Sequence, residues 1–261
     1  KDYFLPSLNL KYNLNDKNSL RLGASKTYTL PQAKEISPYR YVGVNFNSQG
    51  NPNLKPSDHY NLDLKWDFNP TPTELISLTA FYKLIKNPIS RIEVASAGGY
   101  LSYENIADKA TVAGVEIEIR KNLFVRPVSN AAHGMNKLSL GLNGSYIYTN
   151  AKMPLATVTT GSQLEGAAPW IVNFDLSHNF TKGERSFVNT LVLNYVSDKI
   201  YTIGTQGYQD VMEQGVLILD FVSQAKLNKH LSLNLKARNL LNPSYKLSRK
   251  ANENGEKVIL N

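Results

Sequence analysis

The sequence YNLDLKWDF, residues 60–68, followed by NPTPT, residues 69–73, and by ISLTAFYKL, residues 76–84, decides the fold of this chain. In the first run, apolar and polar side chains alternate from Tyr60 to Phe68, which is the period of a β-strand with one apolar and one polar face. Pro70 and Pro72 lack the amide donors that a sheet needs, so the segment between the two runs is a tight turn. Because the alternation resumes after this turn, the two runs form a β-hairpin.

The same alternation recurs along the chain and predicts ten strands in total. The other apolar faces are Leu8, Leu10, Tyr12, Leu14; Leu20, Leu22, Ala24; Ala113, Val115, Ile117, Ile119; Leu138, Leu140, Leu142, Tyr146, Tyr148; Trp170, Val172, Phe174, Leu176, Phe180; Phe187 to Tyr195; Leu217, Leu219, Phe221; and Leu231, Leu233, Leu235, Ala237. The sequence therefore predicts an all-β fold, an antiparallel up-and-down sheet without helices. We expect residues 121–136 to be irregular, and residues 242–261 to form a loop that begins another strand at residues 258–260.

Composition excludes several kinds of site. Cysteine is absent from the 261 residues, so disulfides, thiolate nucleophiles and cysteine metal ligands are excluded. The net charge is +8, but lysines and arginines are spread singly along the chain, and nucleic acid is therefore not an expected partner. Because the chain starts at Lys1 without a leader, we expect it to be a piece of a longer protein.

The lengths of the connections and the positions of the charges favour a membrane sheet over a soluble one. No run of about 18 apolar residues is present, yet a strand of about 9 to 11 alternating residues can cross a bilayer. Short and long connections alternate, as they do in outer-membrane barrels, with residues 121–136 as the exception. The apolar faces carry no acidic or basic residue except Lys26, which lies beside a long connection, where a charge costs little.

Aromatic side chains gather at both ends of the predicted strands, as in the interfacial girdles of membrane barrels. Beside short turns or long connections lie Tyr12, Phe68, Phe180, Tyr28, Tyr148, Trp170 and Tyr195. The polar faces carry Lys11, Arg21, Asp63, Lys65, Asp67, Lys83, Glu116, Glu118, Arg120, Asp175, Lys236 and Arg238. A barrel of ten strands has little room for so many hydrated side chains. The sequence therefore predicts a transmembrane β-barrel that is larger than the ten strands of this chain.

Three short motifs resemble the C-terminal half of the β-barrel of TonB-dependent outer-membrane receptors. They are GNPNLKP at residues 50–56, ADKATVAGVE at residues 107–116 and RNLLNPSY at residues 238–245. The resemblance implies a barrel of about 22 strands, of which the present strands are the twelfth to the twenty-first, with the short turns in the periplasm. It also implies that residues 1–261 are the C-terminal part of this barrel, and that the plug domain, the TonB box and the last strand lie outside the chain.

A ligand of such a barrel is expected at the mouth of the lumen, on long loops held by a rigid scaffold. Tyrosine offers a flat ring and a hydroxyl group for aromatic chelates or sugars, and arginine suits anionic groups. The candidate ligand-binding residues are Tyr39, Arg40, Tyr41, Tyr100, Tyr103, Tyr201 and Tyr208. Packing of one loop against another, or against the plug, is the alternative role for each of them.

No residue pattern indicates catalysis, and we do not expect an enzyme. The histidines, His59, His133, His178 and His230, lack the spacing of metal ligands, so neither a metal site nor a cofactor is expected. The resemblance implies an active importer that binds a nutrient outside the cell and takes energy from TonB through the plug. It further implies contact with outer-membrane lipid and, as a potential partner, a surface lipoprotein.

Two alternatives to an active importer remain open from the sequence. One is a passive porin or an adhesion barrel, and the other is a soluble all-β carbohydrate-binding module. The residues do not identify the substrate: siderophores and other iron chelates, haem, cobalamin, glycans and peptides are all compatible with the sequence.

Overall fold

The computed structural model describes residues 3–44, 46–94, 99–128, 134–153, 163–250 and 257–260. Within these ranges the chain is almost entirely β-structure, with one helix of four residues. No helix in these ranges is long and apolar enough to cross a membrane.

The elements follow the chain in a simple order. They are β1 Ser7–Asn15, β2 Asn18–Thr29, α1 Ala33–Ile36, β3 Arg40–Tyr41, β4 Ser48–Gln49, β5 Ser57–Phe68, β6 Leu75–Lys86, β7 Ile89–Val94, β8 Tyr100–Asn105, β9 Lys109–Pro127, β10 Met135–Ala151, β11 Trp170–Lys182, β12 Arg185–Val196, β13 Lys199–Thr202, β14 Val211–Glu213, β15 Val216–Lys226, β16 Ser232–Ala237, β17 Leu247–Lys250 and β18 Lys257–Leu260.

Ten of these strands form one antiparallel sheet. Their order in the sheet is the same as their order along the chain. The order is β1-β2-β5-β6-β9-β10-β11-β12-β15-β16. The strands that this order omits belong to the long connections, except β18, which follows the last of them. The predicted up-and-down sheet of ten strands is therefore confirmed.

The pairing register places the apolar side chains of neighbouring strands on one side of this sheet. Leu22 pairs with Leu10 of β1 and with Leu64 of β5, and the row continues through Ala80 to Val115. Directly paired residues of an antiparallel sheet point to the same side. We call this side the outer face, and the side that carries Lys11, Arg21, Asp63, Lys65 and Asp67 the inner face.

The outer face is exposed although it is apolar. Leu64 is 51% exposed and Leu233 is 55% exposed, whereas Asp67 and Ser77 on the inner face are buried. A water-soluble sheet would instead bury its apolar side in a core. This distribution agrees with an outer face that meets lipid.

Charged side chains on the inner face pair with one another. The Arg21 Nε and Lys65 Nζ atoms lie 3.4 Å from the two carboxylate oxygens of Asp67. The Arg120 guanidinium lies 2.7 Å from Glu118 Oε1. The inner face is therefore an ionic surface in which acidic and basic side chains partly neutralise each other.

The long connections contain more regular structure than the sequence predicts. They hold α1 and two further sheets of four strands, in the orders β3-β4-β8-β7 and β13-β14-β17-β18. The prediction of a chain without helices is wrong at α1, where Gln32 and Glu35 form a reciprocal capping box that stabilises a single turn. The two small sheets meet where Ile92 forms a parallel bridge with Ile203.

The prediction that residues 121–136 are irregular is wrong at both ends of this segment. β9 continues to Pro127 and β10 begins at Met135, so the connection between them is only residues 128–134, of which residues 129–133 lie outside the described ranges. The register shifts between the pairs Leu138–Phe124 and Ser139–Asn122, which leaves Leu123 without an opposite residue. Such a bulge interrupts the two-residue period, and the sequence therefore resembles a loop at this place. With this correction, the one exception to the alternation of short and long connections disappears.

Residues 258–260 form a strand, as predicted, but this strand is not part of the large sheet in the described ranges. Leu260 pairs with Leu247 and Val258 pairs with Arg249, so that β18 completes one of the small sheets in the long connections.

If the outer face meets lipid, an arginine in its middle must be costly. We expect Leu64→Arg to destabilise the full-length protein in phospholipid vesicles by about 2–4 kcal/mol. Thr79→Arg is the matched control, because Thr79 pairs with Lys65 on the hydrated inner face. Denaturant titration of both variants measures the difference. A larger loss for the Thr79 variant would contradict the assignment of the two faces.

Candidate ligand site in the long connections

Five long connections follow β2, β6, β10, β12 and β16, and we call them the first to the fifth loop. They comprise residues 30–56, 87–108, 152–169, 197–215 and 238–256, of which residues 45, 95–98, 154–162 and 251–256 lie outside the described ranges. All five leave the same end of the large sheet, since each follows a strand of the same direction.

The GNPNLKP motif of the first loop holds this loop against the second. The Asn51 backbone amide donates to Glu35 O at 2.6 Å, and the Asn51 side chain donates to Tyr103 O at 3.0 Å. A Cβ atom on Gly50 would lie 2.4 Å from Ser37 O, so only glycine allows this close approach of two backbones. The motif is thus a structural connector, which agrees with the sequence analysis.

Asn105 makes a second connection between these two loops. Its Oδ1 atom accepts from the Lys55 amide at 2.8 Å, and its Nδ2 atom donates to Lys55 O and to Asn87 O at 3.0 and 2.9 Å. Both loops are therefore fixed at the rim, directly before β5 begins at Ser57.

Strand β7 connects the second loop to the third and the fourth. Arg91 donates from Nε and Nη2 to Glu165 Oε1 at 3.1 and 2.8 Å, and its backbone amide donates to the other oxygen of the same carboxylate. The guanidinium also lies 4.1 Å from the centre of the Tyr201 ring. A side chain that donates two N–H groups to one carboxylate oxygen while its plane lies beside an aromatic ring must be an arginine.

Glu93, two residues further along β7, connects the second loop to the fifth. Its carboxylate pairs with the Arg249 guanidinium, and its carbonyl oxygen accepts from the Thr205 hydroxyl group. Its backbone amide donates to Ile203 O at 2.9 Å. One strand of six residues thus contacts parts of three other loops.

The most deeply buried apolar residues of the described chain lie in and near the loops. Ile203 is 1% exposed and Val211 is 0% exposed. The core cluster consists of Ile92, Ile106, Ala107, Ala110, Ala151, Leu164, Ile200 and Ile203. The loops therefore form a packed unit, which we call the loop cluster.

Burial and nearby charges shift the pKa values of two residues at the centre of this cluster, Arg91 and Tyr103. Burial lowers the pKa of Arg91, but its hydrogen bonds to Glu165 and the charge of that carboxylate outweigh burial and leave the pKa above its ordinary value. Burial raises the pKa of the Tyr103 hydroxyl group, although the nearby charge of Arg91 opposes this effect. Arg91 is therefore cationic and Tyr103 neutral at physiological pH.

The structure places five of the seven candidate residues at three separate positions. Arg40 and Tyr100 lie together, with the guanidinium 5.7 Å from the ring centre. Tyr103 and Tyr201 both lie beside Arg91. The centre of the Tyr208 ring lies 5.5 Å from the Arg249 guanidinium carbon. The remaining two are exposed: Tyr39 by 75% and Tyr41 by 41%, with the Lys34 ammonium 5.5 Å from the Tyr41 ring centre.

The four charged residues at the centre of the cluster were not among the predicted site residues. They are Arg91, Glu93, Glu165 and Arg249. Two of them had a signal in the sequence, because residues 91–94 alternate between polar and apolar in the manner of a strand. The partners of Arg91 and Glu93 are 74 and 156 residues away along the chain, and no local pattern indicates such contacts.

A cavity of about 280 Å³ lies on the inner side of the loop cluster, next to the large sheet. Among the residues that line it are Glu35, Ser57, His59, Ser90 and Glu165. Its lining combines two carboxylates and several hydroxyl groups with apolar side chains, which is typical of a small polar-ligand pocket.

Two of the three histidines in the described ranges have a side-chain hydrogen-bond partner. His59 Nε2 lies 3.0 Å from the Thr29 hydroxyl group, and His178 Nε2 lies 2.8 Å from Asn136 Oδ1. His230 lies in a turn that Asn228 stabilises, and His133 lies outside the described residues. In the part of the chain that the structure describes, no group of three or more His, Cys, Asp or Glu residues could hold a metal ion.

The chain is similar over most of its length to a family of outer-membrane receptors. Residues 1–240 match the family model described as TonB dependent receptor-like, beta-barrel. The iron-regulated outer membrane virulence protein of Vibrio cholerae serotype O1 is 25% identical over 228 residues, which cover 84% of this chain and 32% of that protein.

Solved structures share the fold at lower identity. A variant of the ferric enterobactin receptor of Pseudomonas aeruginosa is 20% identical with a TM-score of 0.56, and the alignment covers 91% of this chain and 34% of that one. The siderophore receptor PirA of Acinetobacter baumannii is 17% identical with a TM-score of 0.59, and the alignment covers 91% of this chain and 36% of that receptor. The copper transporter OprC is 14% identical with a TM-score of 0.63, and the alignment covers 92% of this chain and 34% of the transporter.

The match extends over nearly the whole chain but only part of the relatives, since the chain spans about a third of their length. The family consists of transport receptors, not enzymes, and its members lie in the outer membrane of Gram-negative bacteria. This location accounts for an exposed apolar face on the large sheet. The chain belongs to the TonB-dependent receptors and forms part of their outer-membrane β-barrel.

Proposed function

We propose that the protein is an active importer that binds a ferric siderophore at its extracellular loops and moves it inward with energy from TonB. Membership of the TonB-dependent receptor family carries this proposal. The iron-regulated protein, the ferric enterobactin receptor and the siderophore receptor among its relatives support iron as the cargo. Residues 1–261 then supply the C-terminal part of the barrel, and the plug that contacts TonB belongs to the remainder of the protein.

The pair of Arg40, which is exposed, and Tyr100, which is half-buried, is the best candidate for contact with the ligand. The guanidinium of Arg40 lies against the Tyr100 ring and has an exposed position, so it is available to an anion. Arg91, by contrast, already binds Glu165 with two nitrogens. A cation beside an aromatic ring suits a ligand that is both anionic and aromatic, such as a catecholate chelate of iron.

The loop cluster provides a preorganised surface for this ligand. The first loop is held by Asn51 and Asn105, and the second, third, fourth and fifth loops are held by Arg91 and Glu93. A surface that is already ordered loses little conformational entropy on binding, which favours the high affinity that a scarce nutrient demands. Transport then requires a movement elsewhere, and force on the plug supplies it.

A passive porin remains the competing function. Membership of an outer-membrane receptor family argues against the other alternative, a soluble carbohydrate-binding module. Glycans, haem and peptides are competing cargoes. The exposed arginine favours an anionic ligand over a neutral glycan.

Removal of the Arg40 side chain tests the ligand site. We expect Arg40→Ala in the full-length receptor to weaken binding of a ferric catecholate about tenfold to hundredfold, since a charge-assisted contact contributes about 1.5–3 kcal/mol. Arg126→Ala is the matched control, because Arg126 lies 5.5 Å from the Phe124 ring at the opposite end of the barrel. Fluorescence titration measures both affinities. Equal affinities of the two variants would place the ligand elsewhere.

The Glu165→Ala substitution tests the preorganisation of the loops. It removes the partner of Arg91, and we expect amide hydrogen exchange in β7 and β13 to accelerate about tenfold or more because a charge-assisted pair of about 1.5–3 kcal/mol is lost. Glu213→Ala is the control, since Glu213 makes a single contact of 3.3 Å with Lys199. Mass spectrometry of the exchanged peptides measures the effect. Unchanged exchange in β7 would show that Arg91 does not hold the loops.

Deletion of TonB separates active import from passive diffusion. An importer coupled to TonB loses high-affinity uptake of the ferric chelate in the deletion strain, whereas binding at the cell surface persists. Uptake of radiolabelled iron at submicromolar chelate measures the difference. Undiminished uptake in the strain without TonB would favour the porin.

A further inference from the structure

Several lysines lie on the outer face at the end of the large sheet from which the loops emerge. Lys26 pairs with Tyr60, and Tyr60 pairs with Leu84, so these three side chains share the outer face. Lys86 follows on the same face of β6 and pairs with Lys109 of β9. Lys152 directly follows β10 and lines the same cavity as Lys109. We call Lys26, Lys86, Lys109 and Lys152 the outer lysine cluster.

The positive charge of this cluster is only partly balanced. The acidic residues nearby are Asp58, which lies 3.6 Å from the Lys26 ammonium group and is a cross-strand partner of Lys86, and Asp108. Within the described ranges, no ion pair involves Lys86, Lys109 or Lys152. Lys86 and Lys109 are direct cross-strand partners, and like charges in that position repel one another. An arrangement of this kind is stabilised by an external anion.

The surroundings of the cluster combine cations with apolar surface. The Lys26 and Lys86 ammonium groups lie 5.6 and 5.2 Å from the centre of the Tyr60 ring. A cavity of about 430 Å³ beside them is lined by Leu84, Asp108, Lys109, Thr111, Asn150 and Lys152. Towards the middle of the membrane the same face continues with the exposed side chains of Leu62, Tyr82 and Val115. A molecule bound here meets ammonium groups at one end and hydrocarbon at the other.

We propose that the outer lysine cluster binds the phosphorylated headgroup of a glycolipid in the outer leaflet, with its acyl chains along the apolar outer face. The cluster belongs to a barrel in the outer membrane and points away from the lumen, so its neighbours are membrane lipids. A lysine is costly at the centre of a bilayer but costs little at the interface, which places the cluster at headgroup level. Lysine ammonium groups attract phosphate there as compact point charges.

The direct experiment compares two double variants of the full-length receptor in detergent micelles. The first is Lys86→Gln with Lys109→Gln. The second is Lys11→Gln with Lys65→Gln, which removes the same charge from the inner face. Both of these lysines are cross-strand neighbours of Arg21 in the sheet register. Native mass spectrometry measures the affinity of each variant for bisphosphorylated lipid A. We expect about a tenfold to thirtyfold loss for the first variant, from about 1 kcal/mol for each lysine, and less than a twofold change for the second.

Further ligands and one milder variant make the outcome decisive. The single variant Lys109→Gln changes an exposed side chain and is measured if the double variant does not fold. Lipid A without phosphates is expected to bind at least tenfold more weakly than the bisphosphorylated form, and inorganic phosphate is expected to compete only at millimolar concentration. Equal losses in the inner-face and outer-face variants, equal binding of dephosphorylated lipid A, or binding of inorganic phosphate as tight as that of lipid A would each overturn the proposal.

Discussion

The register of the large antiparallel sheet is the constraint on which the rest of the molecule depends. Because directly paired residues point to the same side, one fixed register gives every strand the same outer and inner face. A slip of one residue at Leu64 would bring Asp63 and Lys65 to the lipid and Leu64 to the lumen. The membrane therefore stabilises the register, and the register in turn carries all five long loops to one end of the sheet.

The loops have their own source of stability. The sheet alone buries few apolar residues in a core, since its apolar face meets lipid and its inner face is ionic. The deeply buried residues, such as Ile203 and Val211, lie in the loop cluster instead. The ion pair of Glu93 with Arg249 then connects the two small sheets, and the ion pair of Arg91 with Glu165 connects one of them to the third loop. A barrel that must hold a ligand site outside the membrane thus needs a second core, built by segments that are distant along the chain.

Local alternation was sufficient to predict the ten strands, their order and their two faces. It failed where the period is interrupted: the bulge at Leu123 made the end of β9 resemble a loop. It also failed for the loop sheets, since the contact between Arg91 and Glu165 joins positions 74 residues apart and no neighbouring residue indicates it. Of the predicted site residues, Arg40 and Tyr100 lie together, but the others are divided between distinct surroundings. Residue type alone indicates which side chains suit a ligand, whereas their grouping depends on tertiary contacts.

The polarity of the two faces links the fold, the location and both proposals, and site-directed labelling measures it directly. These 261 residues contain no cysteine, so within them a nitroxide label can be placed at one chosen site, Leu62→Cys, Leu140→Cys or Leu233→Cys, and compared with Asp63→Cys and Glu118→Cys. In lipid vesicles, electron paramagnetic resonance should show that the leucine sites collide mainly with oxygen dissolved in the bilayer. The two acidic sites should collide mainly with a water-soluble nickel chelate. The reverse pattern, with the leucine sites in water and the acidic sites in lipid, would contradict the account.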